Sequence, residues 1–254
     1  MRPLAGRGCS MLPADSPFPA RWWGPGLEAV GLGDVRPDRG TYGCSEFARL
    51  PPLPFALSGD FAWLAAVPPQ RPNIGKKYAK DTAEGIKLLR ASAQSLGVRL
   101  PEPFTKFIEA PSLHKRVRSA TDCYLDLCPE PIRSPRGGGW LVHFLADSQG
   151  CLFWYLYLTA DGSDHAVVSA PDYYSTPLEW SGDDESDDEG SEEEGDPKAI
   201  AFCAESFEAF LCRYWLENEI QFAQSPVETP MPEAARQSIE RAARQYVEHY
   251  RRQQ

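Results

Sequence analysis

Hydrophobic and polar positions between residues 80 and 222 follow two different periods. The segment from Lys80 to Gly97 has a helical period, in which Asp81 and Glu84 suit a capped start and the glycine suits a helix end. Its apolar positions recur at helical spacing at Ile86, Leu89, Ala93 and Leu96. The proline-opened segment "LPEPFTKFIEA" at 100–110 predicts a second, shorter helix, with a buried face of Phe104, Phe107 and Ile108.

Three apolar runs, at 140–145, 151–158 and 165–169, have the length of β-strands. The turn-rich segments "ADSQG" and "TADGSD" separate them and are of the kind that joins antiparallel neighbours, so a β-meander is predicted. Both alternating faces of the middle run are apolar, and we therefore expect this strand to lie centrally with both faces covered. A further strand is predicted around residues 123–127, in "CYLDL".

Two amphipathic helices are predicted after the meander. Ser206 can cap the first, whose apolar stripe contains Phe207, Phe210, Leu211, Tyr214, Trp215 and Phe222. Its solvent-exposed side is expected to carry Glu205, Glu208, Glu217 and Glu219. The second helix, in "TPMPEAARQSIERAARQYVEHYRR", combines an arginine-rich ridge with a thin apolar stripe of Ala235, Ile239, Ala242, Tyr246 and Tyr250.

Residues 1–75 have a different composition from the rest of the chain. They contain 12 of the 24 prolines and 10 of the 20 glycines, a density that excludes long helices and central strands. They also contain large apolar side chains that a fully solvated tail rarely keeps, namely Trp22, Trp23, Phe55, Phe61 and Trp63. We expect an irregular arm at 1–75, either docked or mobile, then an α+β domain at 76–223 and a linker with an arginine-rich helix at 224–254.

All of the formal excess charge lies in one segment, "SGDDESDDEGSEEEGD" at 181–196. The chain has 26 Lys and Arg against 36 Asp and Glu, and ten of the acids lie in this segment, so the remainder (36 − 10 = 26 acids) has no net charge. A calcium loop is excluded, because the frame with Gly190 at the sixth position has Glu185 at the first and Glu192 at the eighth. The composition predicts a disordered insert at 181–197, or alternatively a binding surface for a basic ligand.

The residue types that carry chemistry are scattered. Cys123 and Cys128 are five positions apart in the predicted strand, where odd separations point to opposite faces, and no second Cys or His pair completes a metal site. His143 is alone within a predicted strand, and no nucleotide-binding or hydrolase motif occurs. We therefore expect no cofactor, no metal and no enzymatic activity. An enzyme with dispersed residues such as His143 and Asp161 stays as an alternative.

The sequence also bears on location and on nucleic acid. Seven scattered cysteines without a secretory segment indicate reduced thiols in a cytoplasm, and no run approaches the length of a membrane span. Nucleic-acid binding is disfavoured, because charges outside the acidic segment balance and the basic runs "HKRVR" and "RR" are short.

The order of these elements resembles the SUKH superfamily, which includes the fungal Knr/Smi cell-wall regulators and many bacterial immunity proteins. Two motifs carry the resemblance over residues 80–222: the "LP" entry with the helix "FTKFI" at Leu100 to Ile108, and the closing helix "ESFEAFLCRYW" after a short apolar strand. The resemblance implies an α+β fold with helices packed on a curved, mainly antiparallel sheet. It also implies a non-enzymatic role, since the bacterial members are thought to bind and neutralise toxins, often nucleases.

Two functions follow as expectations. The first is a protein-binding module of the immunity type that neutralises a toxin and whose sheet face or acidic loop covers this basic partner. Its partner-binding residues would be Asp183, Asp184, Glu185, Asp187, Asp188, Glu189, Glu192, Glu193 and Glu194. The second is a regulatory or scaffolding protein of the Knr/Smi type, which recruits partners through its arm and tail.

Overall fold

The computed structural model describes residues 11–27, 41–75, 77, 79–174, 196–222 and 232–252. These residues form an α+β fold, as the sequence predicts. The strands are β1 (Arg21–Pro25), β2 (Tyr42–Glu46), β3 (Tyr124–Leu125), β4 (Ile132–Arg133), β5 (Trp140–Ala146), β6 (Phe153–Leu158), β7 (His165–Ala170) and β8 (Ala201–Ala204). The helices are α1 (Ala79–Ser95), α2 (Glu102–Ile108), α3 (Pro111–His114), α4 (Phe207–Phe222) and α5 (Glu233–Arg251).

The main sheet has six strands in the order β3–β5–β6–β7–β8, with β4 also paired to β5. Every pairing within it is antiparallel, and β5, β6 and β7 form the predicted meander. The central position predicted for the middle strand is confirmed, because β5 and β7 flank β6. Trp154 and Leu156 of β6 face the helices, whereas Tyr155 and Tyr157 belong to a second apolar cluster on the opposite face.

Helices α2 and α4 cover one face of the sheet through aromatic contacts. Phe144 of β5 lies 5.9 Å from the ring of Phe104 and 5.3 Å from that of Phe207, and Phe210 lies 6.2 Å from Trp154. Edge-to-face and tilted pairs at these separations add to the stabilisation by buried area. The helix predicted from Lys80 is confirmed as α1, and Gly97 just beyond it has a φ of +71°, a conformation that favours glycine.

The described part of the arm is docked on the domain. Ala20 forms a parallel bridge with Phe202 of β8, and the amide of Phe202 donates to the carbonyl of Pro19 at 2.9 Å. The pair β1–β2 forms a separate two-stranded sheet that lies beside β8. Ahead of it, Phe18 packs edge-on against Tyr157 at 5.0 Å and covers the second apolar cluster. The described residues of the arm form short strands and 3-10 turns, as its proline content requires.

Helix α4 is buried on all sides, and this corrects the predicted exposure of its glutamates. Glu208, Glu217 and Glu219 are 3%, 0% and 2% exposed, whereas Glu205, just before the helix, is half-buried. The face that was expected to meet solvent is covered by the arm and by α5. Helix α5 has the predicted buried stripe, from Ala235 to Tyr250, and its ridge is exposed.

The remaining differences are small. The strand predicted at 123–127 is reduced to Tyr124–Leu125, and the strand predicted from Cys151 begins at Phe153. Helix α3 and strand β4 are additional. Among the described residues, no helix has the length and apolarity needed to cross a bilayer.

Candidate functional site

The nine acidic residues predicted to bind a partner, Asp183 to Glu194, lie outside the described residues. The structure does locate the two points between which they are inserted. The amide of Asp196 donates to Oδ2 of Asp172 at 3.1 Å, which joins the chain after β7 to the chain before β8. We call this pair, Asp172 and Asp196, the insert root.

The insert root is anchored to the central strand. The hydroxyl of Tyr155 in β6 donates to the carbonyl of Asp172 at 3.3 Å and accepts from the amide of Tyr174 at 2.8 Å. Tyr155 is completely buried, and burial raises the pKa of its hydroxyl, so it stays protonated and can donate. The described residues that flank the segment 175–195 are therefore linked to each other and to β6.

Asp196 and Pro197 belong to ordered structure, although the sequence predicted disorder through 197. The carboxylate of Asp196 accepts the amide of Lys198 at 2.9 Å and caps the 3-10 turn Pro197–Ala199. Proline at the start of the turn supplies the required φ. Asp196 thus has a structural role that separates it from the nine acidic residues before it.

His143 lies close to the root and has a structural role. Its Nε2 is 3.0 Å from the carbonyl of Leu145, and its ring packs 5.0 Å from Tyr173, which precedes the insert. Its Nδ1 is 3.8 Å from Oδ2 of Asp126. Burial lowers the pKa of His143 to about 4, so the ring is neutral at pH 7. The ring of His143 is thus held within the sheet by a backbone carbonyl and by aromatic neighbours.

Asp161, the second residue considered as part of a dispersed active site, stabilises the turn in which it lies. Its carboxylate accepts from the hydroxyl of Thr159 at 2.6 Å and from the amide and hydroxyl of Ser163 at 3.1 and 2.8 Å. These bonds lower the pKa of Asp161 to about 2. The carboxylate stabilises the β6–β7 turn, and the structure does not bring it together with His143.

Four of the described cysteines are thiols with raised pKa values. Burial raises the pKa of Cys203 and of Cys212 to about 12, and it also raises the pKa of Cys123 and of Cys128. Thiols with raised pKa values are poor nucleophiles at pH 7. Within the described ranges, no three His, Cys, Asp or Glu side chains are grouped in a way that could hold a metal ion.

Three buried carboxylates that the sequence placed in solvent are bonded to donors of the protein itself. Glu208 accepts from the amides of Gly59 and Phe61 at 2.5 and 3.1 Å and from Nε1 of Trp63 at 3.0 Å. Its partners all belong to the arm, so the first turn of α4 fastens the loop at 59–63.

Glu217 joins the arm to the tail. Its two oxygens accept from Nε1 of Trp22 at 2.7 Å and from the hydroxyl of Tyr246 at 2.5 Å. The Tyr246 hydroxyl also accepts from the guanidinium of Arg213 at 3.0 Å. One carboxylate on α4 therefore connects β1 with α5.

Glu219 forms a two-point ion pair with Arg118. The two nitrogens of the guanidinium lie 3.0 and 2.7 Å from the two carboxylate oxygens. Burial raises the pKa of Glu219 and the guanidinium opposes that effect. The charge is thus compensated where it is buried.

A cleft of about 700 Å³ lies at the start of α2 and α4. It contains Arg99 and Lys106 together with Asp60, Glu102 and Asp164, so its charges are mixed. Asp60 accepts from the hydroxyl of Ser58 and from the amide of Ala62 and thereby shapes its own loop.

Comparison with protein-family models, curated proteins and solved structures returns no match. The functional argument therefore depends on the residues themselves. The structure shows where the predicted insert joins the fold, at the insert root. His143 and Asp161 each form hydrogen bonds near their own position in the chain, and the two side chains are not brought together. The carboxylates of α4, which were predicted to be exposed to solvent, instead form buried hydrogen bonds with other segments of the chain.

Proposed function

We propose that the chain is a non-enzymatic, protein-binding module that presents the acidic segment 183–194 to a basic partner, such as a nuclease-type toxin. The observation that carries the proposal is the insert root. The bond between Asp172 and Asp196 and the anchoring of Asp172 to Tyr155 fix both ends of the segment on the central part of the sheet. The described residues on either side of the charged segment are therefore held in place by the fold.

The buried polar groups support the same proposal. Glu208, Glu217 and Glu219 are used to hold the arm, the tail and the chain near Arg118, and His143 is neutral. An acid or base that catalyses a reaction has to reach a substrate. These groups instead reach other parts of the same chain.

Electrostatics gives the segment its effect. Nine acidic residues lie within the twelve residues 183–194. The rest of the chain is nearly neutral, with 27 acidic residues against 26 Lys and Arg. Complementary charge raises association rates of protein pairs, and the effect falls as salt screens it beyond about 8 Å at physiological ionic strength. The resemblance of residues 80–222 to SUKH immunity proteins adds a known role for such a module. A cytoplasmic location fits the free cysteines of the described residues.

The alternative, a scaffold that recruits partners through arm and tail, has less support. Trp22, Phe61 and Tyr246 are buried in the main apolar cluster, so the described arm and α5 serve the core of this domain. Their removal would expose α4 rather than delete a separable recruiting segment.

The test compares proteins captured from a lysate of the source organism by the wild-type chain and by a variant neutralised at all nine acids. Each Asp is changed to Asn and each Glu to Gln over 183–194, while Asp172 and Asp196 are kept. A matched control neutralises exposed acids of the helices: Asp81, Glu84, Glu240 and Glu248. We expect wild type and control to retain a basic protein that the neutralised variant loses.

The captured protein is then purified and its affinity for the three chains measured between 50 and 300 mM salt, by isothermal titration calorimetry. The wild-type and control affinities should fall with salt, and the neutralised variant should bind weakly at every concentration. Equal low-salt affinity of all three chains would remove the acidic segment from the binding surface. Turnover of the captured protein or of a small substrate by the chain would contradict the non-enzymatic assignment.

A further inference from the structure

A second cleft, of about 470 Å³, opens beside the insert root between the hairpin β1–β2 and the ends of β6 to β8. Its walls are mainly apolar, and they include Trp23, Leu152 and Ala201. The complete lining among the described residues is Pro19, Arg21, Trp23, Thr41, Tyr42, Cys151, Leu152, Pro171, Lys198, Ala199 and Ala201. A concave apolar volume of this size is typical of sites for small ligands.

Two cations belong to this lining, although Glu46 lies directly opposite Arg21 across the β1–β2 pair. Arg21 and Lys198 are both exposed, and the lining contains no Asp or Glu in the part of the chain that the structure describes. Within the same part, no ion pair involves either side chain. Arg21 and Lys198 therefore give this apolar cleft a positively charged wall.

We propose that this cleft binds a small amphiphilic carboxylate, with its apolar body against Trp23 and Leu152 and its carboxylate between Arg21 and Lys198. The apolar walls favour an aliphatic or aromatic body, because burial of such a body removes apolar area from water. The two cations select the charge, because hydrogen bonds from guanidinium and ammonium groups to a carboxylate are stronger than neutral ones. A neutral or cationic analogue would fill the volume and leave both cations unpaired.

The proposed ligand of this cleft has the opposite charge to the proposed partner of the acidic segment. The segment would attract a basic protein, whereas this cleft selects a small anion. Failure of either proposal therefore leaves the other standing, although Pro171 and Lys198 border the insert root and place the two functions close together.

Cys151 provides the readout. It lines the cleft and is the one exposed cysteine of the described residues. A bound ligand should shield its thiol from iodoacetamide, an uncharged reagent that the cations of the cleft neither attract nor repel. Cys128, half-buried and outside the cleft, is an internal reference in the same molecule. Alkylation is followed at both positions by mass spectrometry of the digested full chain.

The probe is octanoate below its micelle concentration, compared with octylammonium at equal concentration. We expect octanoate to slow alkylation of Cys151 at least fivefold at saturation and to leave Cys128 unchanged, while octylammonium has no effect. Arg21→Ala and Lys198→Ala should each raise the octanoate concentration for half-protection about tenfold, the loss of one charged hydrogen bond. Lys87→Ala, an exposed cation on α1, is the matched control and should leave that concentration unchanged.

A second variant guards against misfolding. Ala199→Phe places a ring at the half-buried edge of the cleft and should abolish protection by octanoate while the thermal unfolding midpoint stays near that of wild type. Equal protection by octanoate and octylammonium would overturn the selectivity for an anion. Protection that survives Ala199→Phe, or its complete absence in the wild type at millimolar octanoate, would overturn the site.

Discussion

Replacing Glu208 by alanine should release the loop at 59–63 from helix α4. The carboxylate accepts from the amides of Gly59 and Phe61 and from the indole of Trp63, with distances of 2.5, 3.1 and 3.0 Å. A hydrogen bond to a charged group contributes about 1.5 to 3 kcal/mol, and a buried donor that loses its partner costs about 1 to 3 kcal/mol. Because the Gly59 amide is only partly buried and can regain water, we expect a loss of about 4 kcal/mol.

That loss is a large share of the roughly 5 to 15 kcal/mol by which domains are stable. Urea unfolding followed by far-UV circular dichroism measures it as a lower midpoint at unchanged slope. Glu208→Gln keeps one acceptor oxygen but turns an amide group toward the remaining donors, so its loss should be smaller, about 2 kcal/mol. Glu205→Ala is the matched control, since this half-buried neighbour forms none of these bonds, and should change stability by less than about 0.5 kcal/mol.

Hydrogen exchange separates this reasoning from a general loss of stability. The amides of Gly59 and Phe61 should lose protection in Glu208→Ala beyond the loss shared by the sheet strands, because their acceptor is gone. Were the stability of Glu208→Ala to stay within 0.5 kcal/mol of wild type, with both amides still protected, the carboxylate would not be what holds the loop.

Further predictions concern the tail and pH. Tyr246→Phe removes the donor to Glu217 and the acceptor of Arg213, and it should lower the free energy of unfolding by about 2 kcal/mol in urea titrations; an unchanged midpoint would contradict the tie between α4 and α5. Burial lowers the pKa of His114 and of His143 from 6.5 to about 4. The unfolded chain therefore binds more protons between these values, and stability should fall as pH drops from 6.5 to 4, by about 3 kcal/mol per histidine. Urea midpoints measured across this range should fall less steeply for His143→Gln, and a slope equal to that of wild type would refute the assignment.

The local periodicity of the sequence was enough for most of the framework. Residues that are close in sequence predict helix α1 with a glycine just beyond its end, and they predict the buried stripe of α5. The same local patterns predict the meander and the central place of β6. Charge counting likewise isolated the acidic segment without any knowledge of the fold. These properties depend on interactions that repeat at short, regular spacing.

The sequence contains one signal for the all-round burial of α4, namely apolar residues outside its main stripe. Cys212, Leu216 and Ile220 lie off the predicted stripe, and a helix that is apolar on several sides is expected to be buried. The glutamates nevertheless suggested a solvated face, because an isolated carboxylate is costly to bury. The glutamates of α4 can be buried only because hydrogen-bond donors from outside the helix reach them, and the helical pattern of the sequence does not reveal those donors.

Those donors come from remote parts of the chain. Trp22 is 195 residues from Glu217, Gly59 is 149 residues from Glu208, and Arg118 is 101 residues from Glu219. Only the tertiary structure brings the arm and the facing segments to α4, and only then does each carboxylate gain enough hydrogen bonds to offset its lost hydration. The sequence by itself determined the long helices, the meander and the acidic insert, whereas the packing of distant segments decided that the described part of the arm is docked and that the charges of α4 lie inside.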